Sequence, residues 1–260
     1  MAGAYRDIQV SEPIDGVSLI RIARPEVRNA LRTQTLAEIA DALRIVEDDA
    51  RLRACVITGD DKAFAAGADI RELATLDAAA AMADVRPLHW RSIQACTKPL
   101  IAAVRGYAVG AGCEMALLAD MVIAADNAHF GQPEINLGII PGAGGIQRLT
   151  RAVGKPLAMK MVLTGERLDA VQAQAAGLVC EVTAVDQCLP RALELAHAIS
   201  LKAPLAVAAA KRLVNLAYED FLAAGLQAER AAFCSLMDSA DTHEGIDAFL
   251  RKRPAQFRGE

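Results

Sequence analysis

The sequence predicts an α/β core followed by an all-helical C-terminal region. Short apolar runs of strand length at 54–59, 99–104, 121–125 and 177–182 alternate with helical patterns over the first 185 residues, an order that packs helices against sheet faces. Beyond 185 the strand signals stop and only helical patterns follow. A hydrophobic fraction of 53% in 260 residues suffices to bury one substantial core. The expected division is 1–185 for the core that carries the active site and 186–260 for a helical region serving as a lid, a subdomain or an oligomerisation surface.

In chain order, GVSLIRIA (16–23) alternates and reads as a strand that ends at the turn-like RPEVRNAL. Thr33 caps a helix whose Leu36, Ile39, Ala40, Leu43 and Val46 share one face, closed by Asp48 and Asp49. ACVITG (54–59) is a buried strand, and GDDKAFAAGADI leads from it into another helix. In that loop Ala68 follows Gly67 and precedes Asp69, a residue suited to a first turn or a cap. Free backbone N–H groups there serve either an ordinary strand-to-helix turn or a ligand. The Ala-rich stretch 73–96, with Leu76, Met82, Leu88, Trp90 and Ile93, reads as one helix packed over core or ligand. PLIAAV (99–104), MVIAA (121–125) and GLVCEV (177–182) are further strands. Helical patterns close the chain at 186–200, 204–216, 221–237 and after Asp241, where Glu244 three positions on resembles a capping box.

The chemistry concentrates between Gly106 and Glu134. Small residues at 106 and 110–112 run into a helical stretch carrying Glu114, and Glu134 follows Pro133. A helix N-terminus leaves N–H groups unpaired and partly positive, so Ala111 and Gly112 offer donors to an oxygen that becomes negative during a reaction. Two carboxylates beside such donors make a general acid/base site. The glycines of PGAGG (141–145) match neither the dinucleotide nor the nucleoside triphosphate loop pattern. Arg251, Lys252 and Arg253 read either as a solvated helix end or as a phosphate contact.

A formal net charge of −4 speaks against nucleic acid as a partner. The N-terminal stretch MAGAYRDIQVSEPIDG lacks the apolar segment of a secretory signal, and Arg105, Glu114 and Asp120 interrupt the one long apolar stretch, so no membrane span is expected. Six cysteines without C-x-x-C spacing read as reduced core residues of a cytoplasmic protein, with no metal site.

KAFAAGADI (62–70), GYAVGAGCEMAL (106–117), FGQPEINLGIIPGAGGIQRL (130–149) and AFLRKR (248–253), in this order over nearly the whole chain, closely resemble the enoyl-CoA hydratase (crotonase) family. The resemblance implies a crotonase-like spiral of β-β-α units with a C-terminal helical trimerisation region, often assembled as a dimer of trimers. It implies a coenzyme A thioester as substrate and no cofactor, since adding water to an activated alkene moves no electrons to a carrier. Its oxyanion hole falls on the N–H groups of Ala68 and Ala111, and its two catalytic glutamates on Glu114, which takes a proton from water, and Glu134, which exchanges one at the α-carbon. Adjacent buried carboxylates disfavour double ionisation, so at least one should titrate above an ordinary Glu. Gly142 is placed near the water and Gln132 in the wall. For the coenzyme the resemblance points to Lys62, Ala66, Asp69, Ile70 and Arg71, with Arg28 nearby, and to Phe233 and Lys252 reaching a neighbouring subunit's coenzyme. Many hydratases have glycine where Ala111 stands; the N–H is an equal donor, while the methyl narrows the pocket. A Δ3,Δ2-enoyl-CoA isomerase, which typically needs only the second carboxylate, is the nearest alternative, and an RNA-binding or structural member the alternative of another class.

Overall fold

In the computed structural model, which describes residues 5–260, the chain opens with a hairpin of β1 (Ile8–Ile14) and β2 (Val17–Ile22). The first four residues of the N-terminal stretch read for a signal lie outside the described residues. A 3-10 turn (Pro25–Val27) leads to α1 (Thr33–Asp48), which buries Leu36, Ile39, Ala40, Leu43 and Val46, the expected face. Then come β3 (Ala54–Thr58), β4 (Ala63–Ala65) and the short helices α2 (Ile70–Leu73), α3 (Ala78–Met82) and α4 (Arg86–Gln94). The next turn of chain is β5 (Leu100–Val104), β6 (Tyr107–Val109) and α5 (Ala111–Leu118). It is followed by β7 (Met121–Ala125), β8 (His129–Gly131), a 3-10 helix (Pro133–Leu137), α6 (Gly145–Val153) and α7 (Lys155–Thr164). The chain ends with β9 (Arg167–Asp169), α8 (Ala170–Ala175), β10 (Glu181–Thr183), α9 (Val185–Ser200), α10 (Pro204–Leu216), α11 (Leu222–Leu236) and α12 (Ala240–Leu250).

The strands divide between a six-stranded sheet, ordered β1-β2-β3-β5-β7-β10, and a four-stranded sheet, ordered β4-β6-β8-β9. Three times in succession one strand enters the first sheet, its successor enters the second, and the chain then turns into helix. Parallel pairing of β3, β5 and β7, and of β4, β6 and β8, stacks these β-β-α units into the spiral that the resemblance implies.

The centre of the large sheet is covered on both faces, so β3, β5 and β7 are apolar along nearly their whole length and the faces separate with period two. Ile20, Ile22, Cys55, Ile57, Leu100, Ala102, Val104, Val122 and Ala124 face the main core, which includes α1. Val17, Leu19, Ala54, Val56, Ile101, Ala103, Ile123 and Ala125 face α9, which meets them with Cys188, Ala192 and Ala196, one small residue per turn. The strands therefore end near residue 185 as expected, but the packing changes later, after Ser200. Beyond it, α10 and α11 bury no residue.

Three local expectations are corrected. The stretch 73–96 is three helices instead of one: Asp77 accepts from Ala80 N–H (2.8 Å) and Asp84 from Arg86 N–H (2.8 Å), each restarting the chain, and only Ile93 is buried in α4. In 177–182 only the end is strand, because Gly177 closes a turn onto Gln174. The last helix is capped by Ser239, which accepts from Thr242 N–H (3.1 Å), while the Asp241 carboxylate binds Arg258 and Gly259 N–H groups of the C-terminal tail. All six cysteines are free; Cys180 and Cys234 are exposed and the other four are buried. Among the described residues no single helix is long and apolar enough to cross a membrane; α9 and α10 meet that test only as a pair bent by 114°.

Candidate active site

Leu31 forms a parallel bridge with Ala68, donating its N–H to Gly67 O (2.8 Å) and accepting from Asp69 N–H (2.9 Å). Both bonds use Ala68's neighbours, so the N–H of Ala68 itself faces away from Leu31. Ala111 opens α5, where the first N–H groups have no partner within the helix. Among the described residues nothing accepts either N–H. Gly110, at φ 53° and ψ −128°, makes the turn from β6 into α5. A Cβ there would lie 3.1 Å from Glu134 Oε1 and 3.6 Å from Gly67 Cα, so the two loops and Glu134 meet at a point that only glycine fills.

Glu114 lies in the first turn of α5, 3% exposed. Its Oε1 accepts from Ala143 N–H (2.7 Å) and Gly145 N–H (2.8 Å), while Oε2 has no donor among the described residues. Burial pushes this carboxyl above the ordinary range, against the pull of those two N–H groups and the positive charge of Arg148. Glu134, in the 3-10 helix after β8, is pushed up to about 7, first by burial and then by the charge of Glu114, with its own backbone N–H opposing. Gln132 is fully buried, and with its amide turned so that the nitrogen faces the carboxylate it donates to Glu134 Oε1 (3.1 Å) and Oε2 (3.3 Å). A Cβ on Gly145 would lie 2.5 Å from the Gln132 amide and 2.9 Å from Glu114 Oε1, which fixes how tightly these groups are gathered.

The structure thus brings Ala68, Ala111, Glu114, Glu134 and Gln132 together. The N–H groups that reach Glu114 belong to Ala143 and Gly145, and Gly142, which the resemblance sets near the water, precedes them, exposed with open space beside it. The glycine cluster at 141–145 was their only sign in the sequence. Beside the cluster, Ala66 N–H donates to Arg28 O (3.0 Å), which joins the Arg28 turn to the 62–71 loop. Arg28, Lys62, Ile70 and Arg71 are exposed there. The Asp69 carboxylate is engaged structurally, ion-paired with Arg24 at 3.0 Å and capping α2 through Arg71 N–H. Phe233 on α11 carries the Arg230 guanidinium 5.2 Å from its ring centre, and Lys252 follows α12; among the described residues no hydrogen bond or ion pair ties either to the cluster.

The family model for enoyl-CoA hydratase/isomerase matches residues 12–260. A 2,3-dehydroadipyl-CoA hydratase of Escherichia coli is 52% identical over 94% of this chain and 95% of its own. A crotonyl-CoA hydratase of Syntrophomonas wolfei is 40% identical over 98% of each. The crystal structure of an enoyl-CoA hydratase from Bacillus anthracis superposes with a TM-score of 0.93 at 34% identity, covering 98% of this chain and 100% of that one. With its interleaved sheets and its two loops meeting over a pair of carboxylates, the chain belongs to the enoyl-CoA hydratase/isomerase family.

Proposed function

We propose that this chain hydrates trans-2-enoyl thioesters of coenzyme A, adding water across the 2,3 double bond to give a 3-hydroxyacyl-CoA. The observation that carries the reading is the pair of carboxylates, Glu114 and Glu134, beside two N–H groups that nothing among the described residues accepts. The N–H groups of Ala68 and Ala111 hold the thioester oxygen and bind it more strongly as it gains enolate charge. Glu114, held by Oε1 with Oε2 open, takes a proton from water as its oxygen bonds to the β-carbon. Glu134, poised near neutrality, delivers a proton to the α-carbon. One proton leaves the water, one joins the thioester, and no electrons pass to a carrier, so the chemistry calls for no cofactor.

The coenzyme lies along the 62–71 loop near Arg28, with Phe233 and Lys252 of a neighbouring subunit completing its site. Self-association as a homotrimer or dimer of trimers is supported by the C-terminal helices, where Phe221, Leu222, Phe249 and Leu250 are between 74% and 87% exposed. A cytoplasmic setting suits free buried thiols and a coenzyme A substrate.

The test is hydration of crotonyl-CoA, followed by loss of the conjugated thioester absorbance. Glu114→Gln and Glu134→Gln should each lower kcat by ~10²-fold or more. Crotonyl-CoA left untouched while a 3-enoyl-CoA is converted, with Glu114→Gln still competent, replaces this reading with an isomerase.

A further inference from the structure

Arg148 lies in the first turn of α6 as a half-buried guanidinium, and among the described residues no carboxylate ion-pairs with it. Two effects disfavour a cation there. Burial removes it from water, and the N-terminal turn of a helix already carries positive charge. Its contacts show what offsets them. Nη1 donates to Ala143 O (2.8 Å), Nη2 donates to Gln94 Oε1 (3.0 Å) at the end of α4, and a Cβ on Gly144 would lie 2.3 Å from Nη1. The guanidinium therefore lies against the backbone of 143–145. Ala143 is gripped from both ends: its N–H donates to Glu114 and its C=O accepts from Arg148.

We propose that Arg148 is a positioning residue for the hydration reaction: it clamps the 143–145 loop, whose N–H groups hold Glu114, and its positive charge acts on Glu114 from the same side. This rests on the two-carboxylate reading of the site. The titratable and charged groups on α5 and the elements around it are Cys113 on α5, Tyr107 on β6, Glu134 on the 3-10 helix, and Arg148 and Arg151 on α6. Arg151 is directed elsewhere, to Gln147 and Tyr218 O. That leaves Arg148 as the cation acting on Glu114, and Glu114 and Glu219 as the acids acting on Arg148.

The experiment measures kcat and KM for crotonyl-CoA across pH in Arg148→Gln and Arg148→Lys. In Arg148→Gln, KM should change by less than about threefold. Its kcat should fall about tenfold near neutrality, and the acidic limb of the kcat profile should rise by about one pH unit, so that the deficit narrows as pH increases. Arg148→Lys restores charge without the fork, so its limb should stay where the wild type has it while part of the kcat loss remains. A limb unmoved in Arg148→Gln, or moved equally in Arg148→Lys, overturns the proposal. If Arg148→Gln does not fold, Gln94→Ala at an exposed position releases Nη2 without removing charge. It should lower kcat about threefold at unchanged KM, and no change in kcat overturns the clamp. An infrared titration of the free protein's carboxyls, with Glu114 identified by subtraction of Glu114→Gln, needs no turnover. If the wild type does not hydrate crotonyl-CoA, the hydratase reading fails separately. The titration still decides the role of Arg148, which is lost if Glu114 titrates alike with and without it.

Discussion

Replacing Glu134 by Gln keeps the size of the side chain and removes an ionisation that folding makes harder. The carboxyl stands at about 7 in the folded chain against an ordinary 4.5, raised first by burial. Between those values the folded state keeps a proton that the unfolded state has released, so stability falls as pH rises through the window. The penalty is absent below about 4.5 and complete above about 7. At 1.36 kcal/mol per unit it amounts to ~3 kcal/mol, an upper figure because Glu134 is partly solvated. Glu134→Gln should therefore be more stable than the wild type by ~1–3 kcal/mol at pH about 8, and the gain should vanish near pH 4.5, while hydration is lost. Urea unfolding at the two pH values, at one fixed protein concentration, measures this as a shift in midpoint with unchanged slope. A gain of equal size at both pH values, or a loss at the higher one, refutes the reasoning, since Glu134 would then hold no proton at neutrality to deliver.

Gly110→Ala sets a methyl 3.1 Å from Glu134 Oε1 at a φ of +53°; it should cost ~1–2 kcal/mol in urea unfolding and at least tenfold in kcat with crotonyl-CoA. Asp7 is 2% exposed and accepts from Arg32 Nε (2.8 Å) and Nη2 (2.7 Å) and from Thr35 Oγ1 (2.6 Å). Burial raises its carboxyl, but these bonds and the nearby charges of Arg32 and Arg24 win and hold it below the usual range. Asp7→Asn should cost ~2–4 kcal/mol at neutral pH, a difference that shrinks as acid protonates the folded wild type, with kcat per folded molecule kept. Ala192→Leu on α9 drives a larger side chain into the sheet face at Val56 and Ile101 and should cost ~1–3 kcal/mol in the same assay.

What the sequence revealed tracks how many residues each feature repeats over. The face of α1 and the runs of β3, β5 and β7 were readable because their patterns extend over five or more positions. The three parallel strands of the small sheet, Ala63–Ala65, Tyr107–Val109 and His129–Gly131, have three residues each, too few to show a period. They are strands because neighbouring turns of the spiral hold them in register. Glu114 and Glu134 were readable through their surrounding wording, and the structure brings them together. The engagement of Asp69 with Arg24, 45 residues earlier, had no local sign. Neither did the grip of Arg148, whose partners are a carbonyl in its own loop and Gln94, 54 residues away.

The short sheet also explains why the chemistry needs the whole spiral. Because β4, β6 and β8 are parallel neighbours, with Ala65 opposite Ala108 and Val109 opposite Gly131, their C-terminal ends share one edge. Ligand sites in parallel sheets gather at that edge. The chain leaving β4 carries Ala68, the chain leaving β6 carries Ala111 and Glu114, and the chain leaving β8 carries Gln132 and Glu134. Each turn thus contributes a different part, and the ladder fixes their spacing before any side chain meets another. A positional error at this edge is costly, because a reacting group displaced by an ångström forfeits much of its advantage. Three residues per strand are enough for that alignment, since the large sheet and its two covering cores supply the rigidity. The helices α2 to α4 branch from the first of these loops and lie outside the ladder, burying little beyond Ile93. Change there leaves the spacing of the three loops intact, whereas any shift in the register of β6 moves Ala111 and Glu114 together.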